Sequence, residues 1–185
     1  GSKVLYDINL ELHIGEVHGL VGENGAGKST VGKIIGGYYT KDNGVLEIFG
    51  EAFYTWDSRR SLTKGVAMIH QELQLVPELT VANNVFLGKE TNRLGMLQGS
   101  ERARFDELES RCQFGIRPDA PVKNLSIADR QKVEIMRALA RDARIIIMDE
   151  PTSSLTADEA ERLHGVIKWL KESGRTVIYV SHFLE

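Results

Sequence analysis

Eight consecutive residues limit this chain more than any other stretch: Gly22-Glu23-Asn24-Gly25-Ala26-Gly27-Lys28-Ser29, followed by Thr30. Before them, Glu16 to Val21 is apolar enough to read as a strand. After them, Lys28 to Ile35 reads as a helix stopped by Gly36-Gly37. Glycines let a backbone fold closely round a ligand and point its N–H groups inward, and a helix N-terminus favours negative charge. A strand, Gly-x4-Gly-Lys-Ser and a helix in that order is the phosphate-binding loop of nucleotide-binding proteins. Gly22 to Thr30 is therefore the candidate phosphate cradle. Lys28 is placed to reach the terminal phosphates and Ser29 to bind Mg²⁺. The competing reading, a glycine-rich turn that happens to precede a lysine, leaves the flanking strand and helix unexplained.

The remaining periodicities define an α/β chain. Val4 to Leu12 alternates apolar and polar residues, which predicts a half-buried strand. Val45 to Phe49 and Ala52 to Tyr54 predict a small antiparallel hairpin around Gly50-Glu51. Val66 to Ile69, Arg144 to Met148 and Thr176 to Val180 are short buried strands. Thr80 to Leu87 and Glu101 to Arg111 are helical, and Pro118 and Pro121 mark a loop. Ser126 precedes a long helix with a Val133, Met136, Ala140 stripe. Thr156, with Glu159 three residues on, opens a helix that buries Leu163, Val166, Ile167 and Leu170. Strands alternating with helices imply a mainly parallel sheet with an antiparallel β edge. Residues 1–185 read as one domain, with a helical subdomain inserted over about 80–140.

A second site follows from Arg144-Ile145-Ile146-Ile147-Met148-Asp149-Glu150. Buried parallel strands present their C-terminal ends to the crevice where α/β ligands sit. Asp149 there suits Mg²⁺, through water, and Glu150 suits a general base that polarises an attacking water. An ordinary strand end with an acidic turn is the alternative, and the upstream phosphate loop argues against it.

Further segments give the chain a family resemblance. Asn124-Leu125-Ser126-Ile127-Ala128-Asp129-Arg130-Gln131 resembles the signature of ABC-transporter ATPases, usually Leu-Ser-Gly-Gly-Gln. Gln71, in Ile69-His70-Gln71-Glu72, resembles the family's Q-loop, Ser153-Ser154-Leu155-Thr156 its D-loop, and Ser181-His182 its H-loop. The resemblance implies the ABC type of P-loop NTPase fold, ATP and Mg²⁺ as ligands, and head-to-tail pairing of two such domains. Each ATP then lies between the P-loop of one domain and the signature of the other. Gln71 would complete Mg²⁺ coordination, His182 would contact the γ-phosphate, and Ser126 would offer its hydroxyl to the partner's nucleotide. The family's adenine-stacking aromatic would lie upstream of this sequence, and Val4 would line that pocket.

Within the family, the run from Ile69 to Asn83, the Leu125-Ser126-Ile127 signature and the run from Asp149 to Thr156 resemble ATPases of ribose, galactose and xylose importers. Those proteins fuse two ATPase domains, and the first carries a degenerate signature. The chain is accordingly expected to be the first half of such a fusion, truncated at both ends. Its expected partners are a second ABC domain, membrane permease subunits over residues 72–90, and indirectly an external sugar-binding protein. Two departures bear on this reading: Ile127 and Ala128 replace the signature glycines, with Asp129 in place of glutamine, and the D-loop ends in Thr156 where aspartate is usual.

Composition narrows the remaining choices. The net charge of −3 argues against a duplex-DNA binder, and no nucleic-acid partner is expected. One cysteine, Cys112, cannot form an internal disulfide, which suits a reducing compartment. No apolar run approaches the ~18 residues of a membrane span, and Lys3, Asp7 and Glu11 interrupt the start. The expectation is a soluble fragment acting at the cytoplasmic face of a membrane. His13, His18, His70 and His164 lack ligand spacing, and Trp56 and Trp169 read as packing. Two rival functions are a soluble ABC ATPase acting on ribosomes or DNA, and a regulatory domain that binds ATP without turnover.

Overall fold

The computed structural model describes residues 4–89, 100–153 and 155–182. In chain order the elements are β1 (Val17–Val21), α1 (Lys28–Ile35), β2 (Leu46–Ile48), β3 (Glu51–Phe53), α2 (Ser58–Thr63) and β4 (Val66–Ile69). They continue with α3 (Val81–Phe86), α4 (Ser100–Cys112), a 3-10 turn (Val122–Asn124), α5 (Ile127–Ala140), β5 (Ile145–Asp149), α6 (Ala157–Glu172) and β6 (Thr176–Ser181). The chain divides into two units. One comprises residues 1–71, 143–153 and 167–185; the other comprises 72–142 and 154–166.

The first unit holds a four-stranded sheet in the order β1-β6-β5-β4, parallel throughout. Strands covered on both faces read as continuous apolar runs, and all five residues of β5 are buried. One sheet face carries Val66, Ile145, Ile147, Ile178 and Val180, which form a cluster with Ile35, Ile48 and Trp56. Gly32 explains how closely α1 approaches it: a Cβ there would lie 3.3 Å from Ile147 Cγ2. Trp56 is a packing residue, as its sequence context suggests; it is buried, and its indole N–H donates to Ile35 O at 2.8 Å.

Helix α1 stops where Gly36-Gly37 predicts, by a defined C-terminal motif. Tyr38 N–H donates to Lys33 O at 2.8 Å and Gly37 N–H to Ile34 O at 3.0 Å, with Gly37 at φ +77°. A Cβ on Gly37 would fall 2.4 Å from the carbonyl carbon and oxygen of Asp57, so no other residue fits. Asp57 in turn caps α2 by accepting from Arg60 N–H at 2.8 Å. Sequence periodicity misses α2, because its six residues, Ser-Arg-Arg-Ser-Leu-Thr, carry no apolar stripe.

The expected strand over Val4 to Leu12 does not form. The segment belongs to neither sheet, and Asp7, at φ +48°, breaks the extended run. Its alternation is nevertheless used, since Leu10 and Leu12 pack against the core cluster. A strand needs a hydrogen-bonded neighbour as well as an apolar face, and none pairs with these residues among those described. The antiparallel component is β2 with β3, which form a two-stranded sheet of their own.

In the second unit, α3 packs against α4 and α5. Thr80 caps α3, accepting from Asn83 N–H at 3.3 Å. The segment leading to α3 is held by side chains. Fully buried Asn84 accepts from Val76 N–H at 2.8 Å and donates to Val76 O at 3.0 Å. Gln74 N–H donates to Glu134 Oε1 at 2.9 Å, and Gln74 O accepts from Arg137 at 2.8 Å. Burial raises the Glu134 carboxyl above its ordinary range, and Arg137 opposes that shift. The capping box predicted at α6 is present: Thr156 N–H donates to Glu159 Oε2 at 3.0 Å, and Glu159 N–H returns to Thr156 Oγ1 at 3.4 Å. Among the described residues, no helix is long and apolar enough to cross a membrane.

Candidate functional site

Because β1, β6, β5 and β4 are parallel, their C-terminal ends lie along one edge of the sheet. That edge gathers most of the residues singled out from sequence. Gly22 to Ser29 follow β1, Ser181 and His182 end β6, Asp149 and Glu150 end β5, and Gln71 sits exposed just after β4.

The loop after β1 needs its glycines. Gly25 and Gly27 have φ of +84° and +90°, and Gly27 starts α1 without any side-chain cap. A Cβ on Gly27 would lie 2.4 Å from Leu5 Cδ2 and 3.7 Å from Val4 Cγ1. Val4, half-exposed, is thereby brought beside the loop. The Lys28 ammonium folds over its own loop, donating to Gly22 O at 2.7 Å and Glu23 O at 2.9 Å.

From the first turn of α1, Ser29 Oγ donates to Asp149 Oδ1 at 2.7 Å. Asp149 is buried, and its carboxylate accepts this hydroxyl. Glu150 leaves the strand in a left-handed conformation, φ +48°, and its N–H donates to Val180 O at 3.0 Å. Its carboxylate oxygen Oε1 lies 3.3 Å from His182 Nδ1. Sequence alone cannot announce this carboxylate–imidazole contact, because the two residues are far apart in the chain. The available signal is that each directly follows an apolar strand.

Ser126 belongs to the second unit, as does Thr156 of the D-loop; Ser154 lies outside the described residues. Ser126 caps α5, its Oγ accepting from Asp129 N–H at 3.1 Å, while Asp129 Oδ1 pairs with Lys132 Nζ at 2.9 Å. Ile127 is 42% exposed and Ala128 is buried.

A glycine loop between strand and helix, with a serine bonded to a carboxylate at the end of the next strand but one in the sheet, defines a P-loop nucleotide-binding domain of the α/β class. The comparison with known sequences is narrower. Residues 5–153 match the family described as ABC transporter, and the chain belongs to that family. It is 46% identical over 186 aligned positions to the arabinose import ATP-binding protein of Pseudomonas syringae pv. syringae, covering 100% of this chain and 37% of that protein. It is 48% identical over 188 positions to a ribose import ATP-binding protein of Rubrobacter xylanophilus, covering 100% of this chain and 36% of that protein. The chain thus spans little more than a third of these relatives. Among solved structures, the dimeric post-hydrolysis state of an ATP-binding cassette bound to ADP and Pi is 30% identical. Its TM-score is 0.79, over 97% of this chain and 80% of that one. The ADP conformation of another ATP-binding cassette, 23% identical, matches the fold with a TM-score of 0.86 over 98% of this chain and 76% of that one.

Proposed function

We propose that this domain binds ATP with Mg²⁺ on Gly22 to Thr30, hydrolyses it, and so drives import of a monosaccharide through a membrane permease. The observation that carries the reading is the pairing of two contacts at one sheet edge: Ser29 Oγ to Asp149 Oδ1 at 2.7 Å, and Glu150 Oε1 to His182 Nδ1 at 3.3 Å. Serine hydroxyl and aspartate carboxylate are hard oxygen donors, which suit Mg²⁺. The ion supplies charge neutralisation on the phosphate oxygens. Ser29 and Asp149 would hold it, Asp149 through water, and Gln71 would complete its shell. Lys28 exchanges its loop carbonyls for the β- and γ-phosphates, while the backbone N–H groups of Glu23 to Thr30 cradle the chain of phosphates. Val4 contacts the adenine.

Glu150 accepts a proton from the attacking water as the bond to the γ-phosphorus forms and ADP departs. His182 orients that carboxylate and touches the γ-phosphate. Ser126 serves the nucleotide of a paired ABC domain, carried on the same polypeptide. Residues 72–90 receive the permease at the cytoplasmic face of the membrane, and an external sugar-binding protein delivers the substrate. The support for this wider assembly is the identity to arabinose and ribose import proteins, of which the chain covers little more than a third.

The test uses the full-length polypeptide with its permease in sealed vesicles. ATP should drive uptake of a labelled monosaccharide. Glu150→Gln should keep ATP binding and stop both hydrolysis and uptake. Uptake that persists without ATP turnover overturns the reading.

A further inference from the structure

Glu150 poses a physical problem that its proposed chemistry does not solve. A glutamate at φ +48° sits in a region that L side chains rarely occupy, at a cost on the order of 1 kcal/mol or more. Such a conformation persists only where its surroundings fix it. Two backbone bonds contribute: Glu150 N–H to Val180 O at 3.0 Å, and Ser153 N–H to Glu150 O at 3.2 Å. Both belong to the turn from Glu150 to Ser153, which leads away from β5.

A side-chain bond closes the same turn onto the sheet. Thr152 Oγ1 lies 3.1 Å from the Tyr179 hydroxyl, and both groups are partly buried. Tyr179 stands in the middle of β6, where it registers with Met148 of β5 and Gly19 of β1. Its neighbour Val180 registers with Asp149 and accepts the Glu150 N–H. Consecutive residues of one rigid strand therefore grip the turn at two points, one through backbone and one through side chains. Three residues after Tyr179 the same strand delivers His182 to the Glu150 carboxylate.

We propose that Tyr179 and Thr152 are positioning residues that hold Glu150 in its left-handed conformation beside His182. The inference rests on the reading of Glu150 as the general base. Each hydroxyl is engaged with the other, 3.1 Å apart, and not with Glu150 itself. Their effect is on the orientation of a carboxylate whose proton transfer depends on sub-ångström placement.

The experiment measures ATP hydrolysis by the full-length polypeptide carrying Tyr179→Phe, Thr152→Val, both together, or Thr152→Ser. Each of the first two should lower kcat about five- to tenfold, the effect of losing one partly buried hydrogen bond, with KM for ATP unchanged. The double variant should cost no more than either single one. Thr152→Ser keeps the hydroxyl and should restore the rate. In a Glu150→Gln background, Tyr179→Phe should have no further effect. If Glu150→Gln hydrolyses ATP normally, the general-base reading falls and takes this inference with it. If Glu150→Gln is inactive while Tyr179→Phe and Thr152→Val turn over normally, or raise KM in place of lowering kcat, the positioning role alone is overturned. Additive losses in the double variant also overturn it.

Discussion

Ser29 Oγ and Asp149 Oδ1 meet at 2.7 Å across a sequence separation of 120 residues. That one contact ties the first turn of α1 to the C-terminal end of β5. It brings a loop rich in backbone donors and the carboxylate at the end of an apolar strand to the same point. Asp149 can stand there because Gly32, one turn further along α1, leaves room for the helix to lie on Ile147.

Lys28→Ala should weaken ATP binding by at least tenfold in the full-length polypeptide. The lost contact is a charge-assisted one, worth about 1.5–3 kcal/mol, and each 1.4 kcal/mol is tenfold in affinity. Titration calorimetry with Mg-ATP measures it directly, and unchanged affinity would remove Lys28 from the cradle.

The signature face should resist pairing with a second copy of this chain. Ile127 and Ala128 put side chains where glycine allows close backbone approach, and Ser126 is already the cap of α5. In a Glu150→Gln background the unmodified chain should stay monomeric with ATP. Changing Ile127 and Ala128 both to glycine should produce ATP-dependent self-association, read by light scattering. Robust ATP-driven dimers of the unmodified chain contradict this expectation.

Gly37→Ala should destabilise the domain by about 2 kcal/mol or more. The new methyl would collide with the Asp57 backbone at 2.4 Å, and the position requires φ +77°. Denaturant unfolding measures the loss. Gly44→Ala is a useful control, since it shares a positive φ, +84°, but meets nothing within 4 Å, and should cost less.

Cys112 should be chemically inert while the protein is folded. Burial pushes its thiol up to about 12, Glu109 adds to the shift and Arg111 opposes it. An unfolded cysteine titrates near 8.5, so at pH 8 the unfolded chain holds far more of the reactive thiolate. Alkylation followed by mass spectrometry should be more than about a hundredfold faster in denaturant. Equal rates at pH 8 would mean that the thiol is reached through local opening.

Local chemistry accounts for what the sequence by itself determined. Helix α1 runs Lys28 to Ile35 as expected because a glycine start and a Gly-Gly stop are both conformational requirements of neighbouring residues. Strand β4 and the capping box at Thr156 are likewise complete within a few residues. The loop Gly22 to Thr30 and the carboxylates Asp149 and Glu150 were legible as candidates for the same reason. Tertiary structure decided the rest. Alternation in Val4 to Leu12 specifies an apolar face, but only a hydrogen-bonding neighbour makes a strand, and no local pattern encodes a neighbour. Helix α2 rests on the Asp57 cap and on Ser61, buried in a segment with no apolar stripe to advertise it. The pairing of Ser29 with Asp149 and of Glu150 with His182 depends on strand order and register. These are set by how buried faces pack together, and the left-handed turn at Glu150 is imposed by the strand beside it.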